Sequence, residues 1–123
     1  AGQRDQQDQA VFHLESGKRL FQAEHDAEAV AELRRAVYLA PYQSEAHLML
    51  GRVYLRTGRL SLAVSELKIS IWSADTIAAR LALAETYLQL KDLAAARSEA
   101  QVVLRRDPGN LDARRITERV AAN

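Results

Sequence analysis

Residues 44–76 read SEAHLMLGRVYLRTGRLSLAVSELKISIWSADT. Between Glu45 and Arg56 the apolar residues Leu48, Leu50, Val53, Tyr54 and Leu55 recur at the spacing of a helix face. Thr57-Gly58 stops this run, because glycine takes the left-handed conformation at a helix end at little cost. A second stripe follows from Leu60 to Trp72, carried by Leu60, Ala63, Val64, Leu67 and Ile71. Two amphipathic helices joined by a tight turn are predicted. Neither can hide its apolar stripe alone.

The same pattern recurs on either side. Gly17 falls under Gly51, 34 residues away, and in that register His13 meets His47, Ala29 meets Ala63, Leu33 meets Leu67 and Tyr38 meets Trp72. With one residue dropped after Trp72, Ala84 aligns with Gly51, Tyr87 with Tyr54, Ala96 with Ala63 and Pro108 with Pro41. The repeats are therefore 10–43, 44–76 and 77–110. Pro41 and Pro108 end helix pairs, since proline cannot donate the next helical hydrogen bond. A mid-helix glycine costs about 1 kcal/mol relative to alanine. Gly17 and Gly51 are expected to recover this by close approach of Ala29 and Ala63 on the paired helix.

Composition agrees with a helical chain. Of 123 residues, 48% are hydrophobic and only two are proline, so a helical core can form in one domain. Seventeen basic residues face sixteen acidic ones, for a net charge of +1, which gives no basic excess for nucleic acid. Cysteine is absent, which removes disulfides, thiolate metal sites and cysteine nucleophiles. No apolar run reaches the roughly 20 residues of a membrane span. Ala1 to Gln9 are almost all polar and read as a disordered lead-in, and the chain reads as compatible with a piece of a larger protein. Arginine outnumbers lysine, the composition of a GC-rich bacterial source, while cytoplasm and periplasm both stay open.

These residues resemble the tetratricopeptide repeat, a helix–turn–helix unit of 34 residues. The middle repeat supplies Leu50, Gly51, Tyr54, Gly58 and Ala63 in register with the family pattern. The first supplies Gly17, Ala29, Ala36 and Pro41, and the third Leu83, Ala84, Tyr87, Ala96 and Pro108. The family's tryptophan position holds His13, His47 and Arg80; Asp75 replaces a closing proline; Lys91 replaces a turn glycine. The resemblance implies an all-α right-handed superhelix of three helix pairs. Residues 111–123 start a fourth copy without its signature, and the stripe Ala113, Ile116 and Val120 marks a capping helix, the seventh.

Little in the chain speaks for catalysis. His13 and His47 share one repeat position, which suits packing rather than chemistry, and His25 lies in a turn. Glu24, Glu28 and Glu32, with Arg34 and Arg35 nearby, read as a solvated charged face. Arg105-Arg106 and Arg114-Arg115 read as outer-face residues balanced by acids. There is no phosphate loop, nucleophile elbow or metal-spaced histidine pair. No enzyme activity, cofactor, metal site, nucleic-acid partner or membrane insertion is expected.

The resemblance implies a concave groove lined by the first helix of each pair. Carried over by residue, its wall is Val11, Leu14, Lys18, Phe21 and Gln22, then Glu45, Leu48, Arg52, Leu55 and Arg56, then Ala78, Leu81, Glu85, Leu88 and Gln89. The family's carboxylate clamp would fall on Leu14, Lys18, Met49, Ala78 and Ala82, where only Lys18 keeps a charge. An apolar groove with cations at Lys18, Arg52 and Arg56 suits a peptide or helical segment of a partner protein. The alternative is that its leucines pack between neighbouring first helices. Tyr38 and Trp72 share an equivalent position and form a candidate second interface, or else cover the loop around Tyr42. The expected function is a protein-binding scaffold. The alternative is a structural spacer or self-associating unit of a larger bacterial assembly or secretion protein, with a homo-oligomer open.

Overall fold

Four of the helices start where a side chain takes over an otherwise orphaned backbone N–H. Gln43 accepts from the N–H of Glu45, Thr76 from Ala79, Asp92 from Ala95 and Asn110 from Ala113. The computed structural model describes residues 2–123; Ala1, placed by its sequence in the polar lead-in, lies outside them. Seven helices follow in order: α1 (Gly2–Gln22), α2 (Asp26–Leu39), α3 (Ser44–Arg56), α4 (Leu60–Ser73), α5 (Ile77–Gln89), α6 (Leu93–Arg106) and α7 (Leu111–Ala121). No strand occurs among the described residues.

The expected disordered lead-in is corrected: Gly2 to Gln9 are helical turns of α1. Nothing in this stretch breaks a helix. Gln6 Nε2 also donates to the carbonyl of Leu39 at 2.9 Å, which ties the extension to the end of α2.

The turn inside each pair is built the same way three times. Glu24, Gly58 and Lys91 all have φ between 60° and 77°. In each turn the next residue's N–H reaches back to close the helix: His25 to Leu20, Arg59 to Tyr54 and Asp92 to Tyr87. Glycine takes this conformation freely at Gly58, whereas Glu24 and Lys91 bear the strain of a side chain there.

Helices pair as α1 with α2, α3 with α4, and α5 with α6, and α7 packs on α6 and α5. The odd-numbered helices also approach one another in succession, whereas α2, α4 and α6 do not. The odd helices therefore form an inner layer and the even ones an outer layer. Buried residues run through all seven, with Leu33, Leu50, Leu67, Val53 and Val103 almost wholly enclosed. Each such leucine stabilises the fold by about 1.5–3 kcal/mol.

Inside the first two pairs the inner helix is notched for the outer one. A methyl carbon built at Gly17 would lie 2.5 Å from Leu33, and one at Gly51 would lie 2.7 Å from Leu67. The leucine side chains are thus the nearest groups to the glycines, closer than the expected Ala29 and Ala63. Ala63 brings its carbonyl oxygen to 3.6 Å from the Gly51 position. In the third pair the equivalent residues are Ala84 and Ala100, both fully buried. Bulk has moved from the outer helix to the inner one.

A polar clasp spans each pair. His13 Nδ1 lies 2.5 Å from Glu32 Oε2, and His47 Nδ1 lies 2.8 Å from Glu66 Oε1. Arg80 Nη1 donates to both Glu99 oxygens at 2.8 and 2.9 Å. The two members are 19 residues apart in every repeat. The packing role expected for the histidines is thus a specific one. Glu32 is corrected from a solvated residue to half of a clasp, while Glu24 and Glu28 are exposed. Burial alone pushes the His47 imidazole down. Its hydrogen bonds to Glu66 and to the Pro41 carbonyl, at 2.6 Å from Nε2, outweigh that and raise it above its ordinary value. Both ring nitrogens face acceptors, and only the protonated ring can donate to both.

Where the second repeat lacks a closing proline, Asp75 ties the joint instead. Arg80 donates to its two oxygens at 2.9 and 2.8 Å, and Arg106 at 3.0 and 2.7 Å. Arg106 also bonds the Asp75 carbonyl. Hydrogen bonds from Arg80 and Arg106 hold the Asp75 carboxyl well below the usual carboxylate range.

Two outcomes follow. Gly51→Ala should be net destabilising, because crowding Leu67 costs about 1–3 kcal/mol against about 1 kcal/mol gained in helix propensity. Leu67→Ala should cost about 2–5 kcal/mol. The double variant, which copies the third pair, should lose less than the sum by about 0.5–3 kcal/mol in urea unfolding. For His47, a raised folded pKa means its stabilisation is complete below the unfolded pKa near 6.5 and is lost as pH rises through the folded value. The melting-temperature gap between wild type and His47→Gln should accordingly be wider at pH 6 than at pH 9.

Candidate functional site

The inner layer presents a concave wall, and the fold sorts the expected groove residues into three groups. The first is core. Leu14 is 4% exposed and Leu88 is 7% exposed, each enclosed in a hydrophobic cluster. For these two the interhelical packing reading holds, and they are corrected from the groove wall. Their register turns them toward the seam between helices rather than toward solvent.

The second group is spent on holding helices together. The Arg56 guanidinium pairs with Asp26, donates to the Phe21 carbonyl at 2.7 Å and lies 3.9 Å from the centroid of the Phe21 ring. It staples α3 to the end of α1 and the start of α2. Lys18 sits between Glu15 at 3.6 Å and Glu45 at 3.5 Å. Phe21, Lys18, Glu45 and Arg56 are therefore an interhelical joint with little charge left over.

The third group faces open space. Leu48, Leu55, Ala78 and Leu81 are half-buried, and Gln22 and Gln89 are exposed at the ends of α1 and α5. Arg52 touches only the sulfur of Met49, at 3.7 Å, and has no carboxylate partner among the described residues. Glu85, at the equivalent position on α5, has no basic partner among them either. Arg52, Leu55, Ala78, Leu81 and Glu85 line one concavity of about 590 Å³, and α7 closes it with Asp112, Arg115, Ile116 and Arg119.

The α7 contribution was missed by the sequence reading, although a signal existed. Ala78, Leu81 and Glu85 advanced by one 34-residue period land on Asp112, Arg115 and Arg119. The cap carries the groove register even though it lacks the repeat's packing signature.

Outside the groove, Tyr38 and Trp72 are not brought together. Trp72 packs against Tyr42, with centroids 5.9 Å apart, and both rings stay about three-quarters exposed. Tyr38 lies under the Arg35 guanidinium at 5.9 Å and lines a separate concavity with Arg34, His47, Tyr54 and Glu66. Among the described residues no cluster of three metal-ligating side chains occurs. None of the described helices is long and apolar enough to cross a membrane.

The sequence matches the family model of the tetratricopeptide repeat over residues 14–69 and 74–110. A search of curated protein sequences finds no match. Among solved structures, the chain is similar to the first TPR of Spaghetti (RPAP3) bound to an HSP90 peptide. Identity there is 18%, coverage 94% of this chain and 92% of that one, and the TM-score 0.90. It is also similar to the Arabidopsis OM64 TPR domain, at 14% identity, 95% and 98% coverage and a TM-score of 0.91. A third likeness is to the Yersinia enterocolitica type III secretion chaperone SycD in complex with a peptide of the translocator YopD, at 19% identity, 94% and 88% coverage and a TM-score of 0.78. With the 34-residue register, the three clasped helix pairs and a family match across most of its length, the chain belongs to the tetratricopeptide repeat family, whose domains are protein-interaction scaffolds.

Proposed function

We propose that this domain holds a short segment of a partner protein against its concave wall, and that it does so without a carboxylate clamp. The observation that carries the reading is the set of half-buried leucines, Leu48, Leu55 and Leu81, left uncovered on the inner layer beside the unpaired Arg52. Apolar anchors flanked by a few fixed polar groups are what peptide-binding grooves use. RPAP3 and SycD, which share the fold, each hold a peptide of another protein. At the clamp positions Leu14, Met49 and Ala82 are buried and apolar, so a terminal carboxylate would find only Lys18, already between two glutamates. The domain is read as non-catalytic, a binding module that needs no cofactor.

A second reading is favoured by one observation. The exposed Tyr42–Trp72 pair lies outside the residues lining the groove and presents two aromatic faces suited to self-association. In light scattering at increasing concentration it predicts a rising mass for wild type that Trp72→Ala abolishes; a constant monomer mass would dismiss it.

The groove reading is tested by affinity capture from the source lysate with wild type, Leu48→Glu and Leu81→Glu. Both variants should lose the captured partner at least about tenfold, with helical circular dichroism unchanged. Equal capture by folded variants would move the binding surface elsewhere.

A further inference from the structure

The concave wall is not uniform along its length. Toward α1 the charges are neutralised: Lys18 between Glu15 and Glu45, Arg56 on Asp26. Toward α7 they are not. Arg52 and Arg119 lie on the wall of one concavity, and neither has a carboxylate within ion-pair distance among the described residues. Arg115 reaches only Asp112, at 3.7 Å, and both are more than two-thirds exposed, so this pair holds neither side chain firmly. Three guanidinium groups thus face two carboxylates, Glu85 and Asp112, around a floor of Leu55, Ile77, Leu81 and Ile116.

Unpaired cations beside half-buried aliphatic side chains favour an anionic group carried on an apolar body. A guanidinium is planar and more weakly hydrated than an ammonium, so it meets a carboxylate through two parallel hydrogen bonds. The volume, about 590 Å³, falls in the range that holds a few side chains rather than a long helix.

We infer, resting on the groove reading above, that the concavity between α3, α5 and α7 is the specificity pocket. It receives a short stretch of a partner polypeptide in which an aspartate or glutamate stands within a few residues of a large aliphatic or aromatic side chain. The carboxylate sits between Arg52 and Arg119, and the apolar side chain lies on Leu55 and Leu81. Glu85 repels a second acidic residue on that side and accepts backbone N–H groups or a basic side chain of the same stretch. The mode differs from terminal-carboxylate capture because the recognised carboxylate belongs to a side chain and the cations come from α3 and the capping helix.

The test uses a phage-displayed library of random 12-residue peptides selected on the wild-type chain. The enriched peptide is then synthesised and titrated against Arg52→Glu, Arg119→Glu and Arg97→Glu. The last makes the same charge change on the exposed outer face of α6. The expected consensus pairs Asp or Glu with Leu, Ile, Val or Phe. Affinity should fall about tenfold or more on Arg52→Glu and on Arg119→Glu, and stay within about twofold on Arg97→Glu. Replacing the peptide's acidic residue by lysine should weaken binding to wild type and restore it to Arg52→Glu. A consensus without an acidic residue, or affinities that ignore both groove arginines, would overturn this inference. If those peptides are still lost on Leu48→Glu, the scaffold reading survives alone. If no peptide is enriched, both fall.

Discussion

A leucine seated in a notch sets the distance between the two helices of a pair. At Gly51 there is no room for even a methyl group beneath Leu67, and at Gly17 none beneath Leu33. The glycine gives up about 1 kcal/mol of helix propensity so that two backbones can come close. Close backbones leave the remaining apolar stripe of each helix facing outward along the array, where only another pair can cover it. Stacking covers those stripes, in the un-notched third pair as in the first two, and the concave wall is the geometric by-product of stacking.

The polar clasps act on the same two helices but limit how they can slide. His13 with Glu32, His47 with Glu66 and Arg80 with Glu99 each join an inner to an outer helix at one fixed offset. A hydrophobic notch tolerates small shifts along its length; a directional hydrogen bond between partly buried groups does not. The family's usual tryptophan fills this place by volume. Here two histidines and an arginine fill it with polar nitrogen groups, and each meets a matching glutamate, which this chain supplies in every repeat.

Much of this architecture is legible in the residues themselves. The 34-residue period, the helix ends at Gly58, Pro41 and Pro108, and the capping stripe of α7 all follow from local chemistry, and the helices end where that chemistry says. What stayed hidden needed knowledge of neighbours. Leu14 and Leu88 carry the same periodicity as Leu48, yet are enclosed, because burial of an inner-face leucine depends on the helix beside it and not on its own spacing. Glu32 looked solvated because its partner lies on another helix, though the recurring offset of 19 residues was there to be read. The polar Gly2–Gln9 stretch offers no hydrophobic signal, and its helical course depends on continuation from α1 and on the Gln6 bond to Leu39. Arg119 lines the concavity because the cap keeps the groove register, a signal that the absence of the repeat's packing residues in α7 conceals.

The joints between repeats are not chemically alike. Pro41 and Pro108 lie at two of them, where ring closure restricts the backbone whatever the solvent contains. The joint at Asp75 is tied by guanidinium–carboxylate bonds, and the Arg106–Asp75 pair remains more than a third exposed. Dissolved ions screen such bonds and leave a proline ring untouched. Rising ionic strength therefore weakens the Asp75 tie, which has no proline beside it, whereas the joint at Pro41 keeps its ring restraint even as its own ion pairs, Arg56–Asp26 and Lys18–Glu45, are screened. The Asp75 seam lies between α4 and α5, so the span of the inner wall between Arg52 and Glu85 becomes a property of the surrounding electrolyte as well as of the fold.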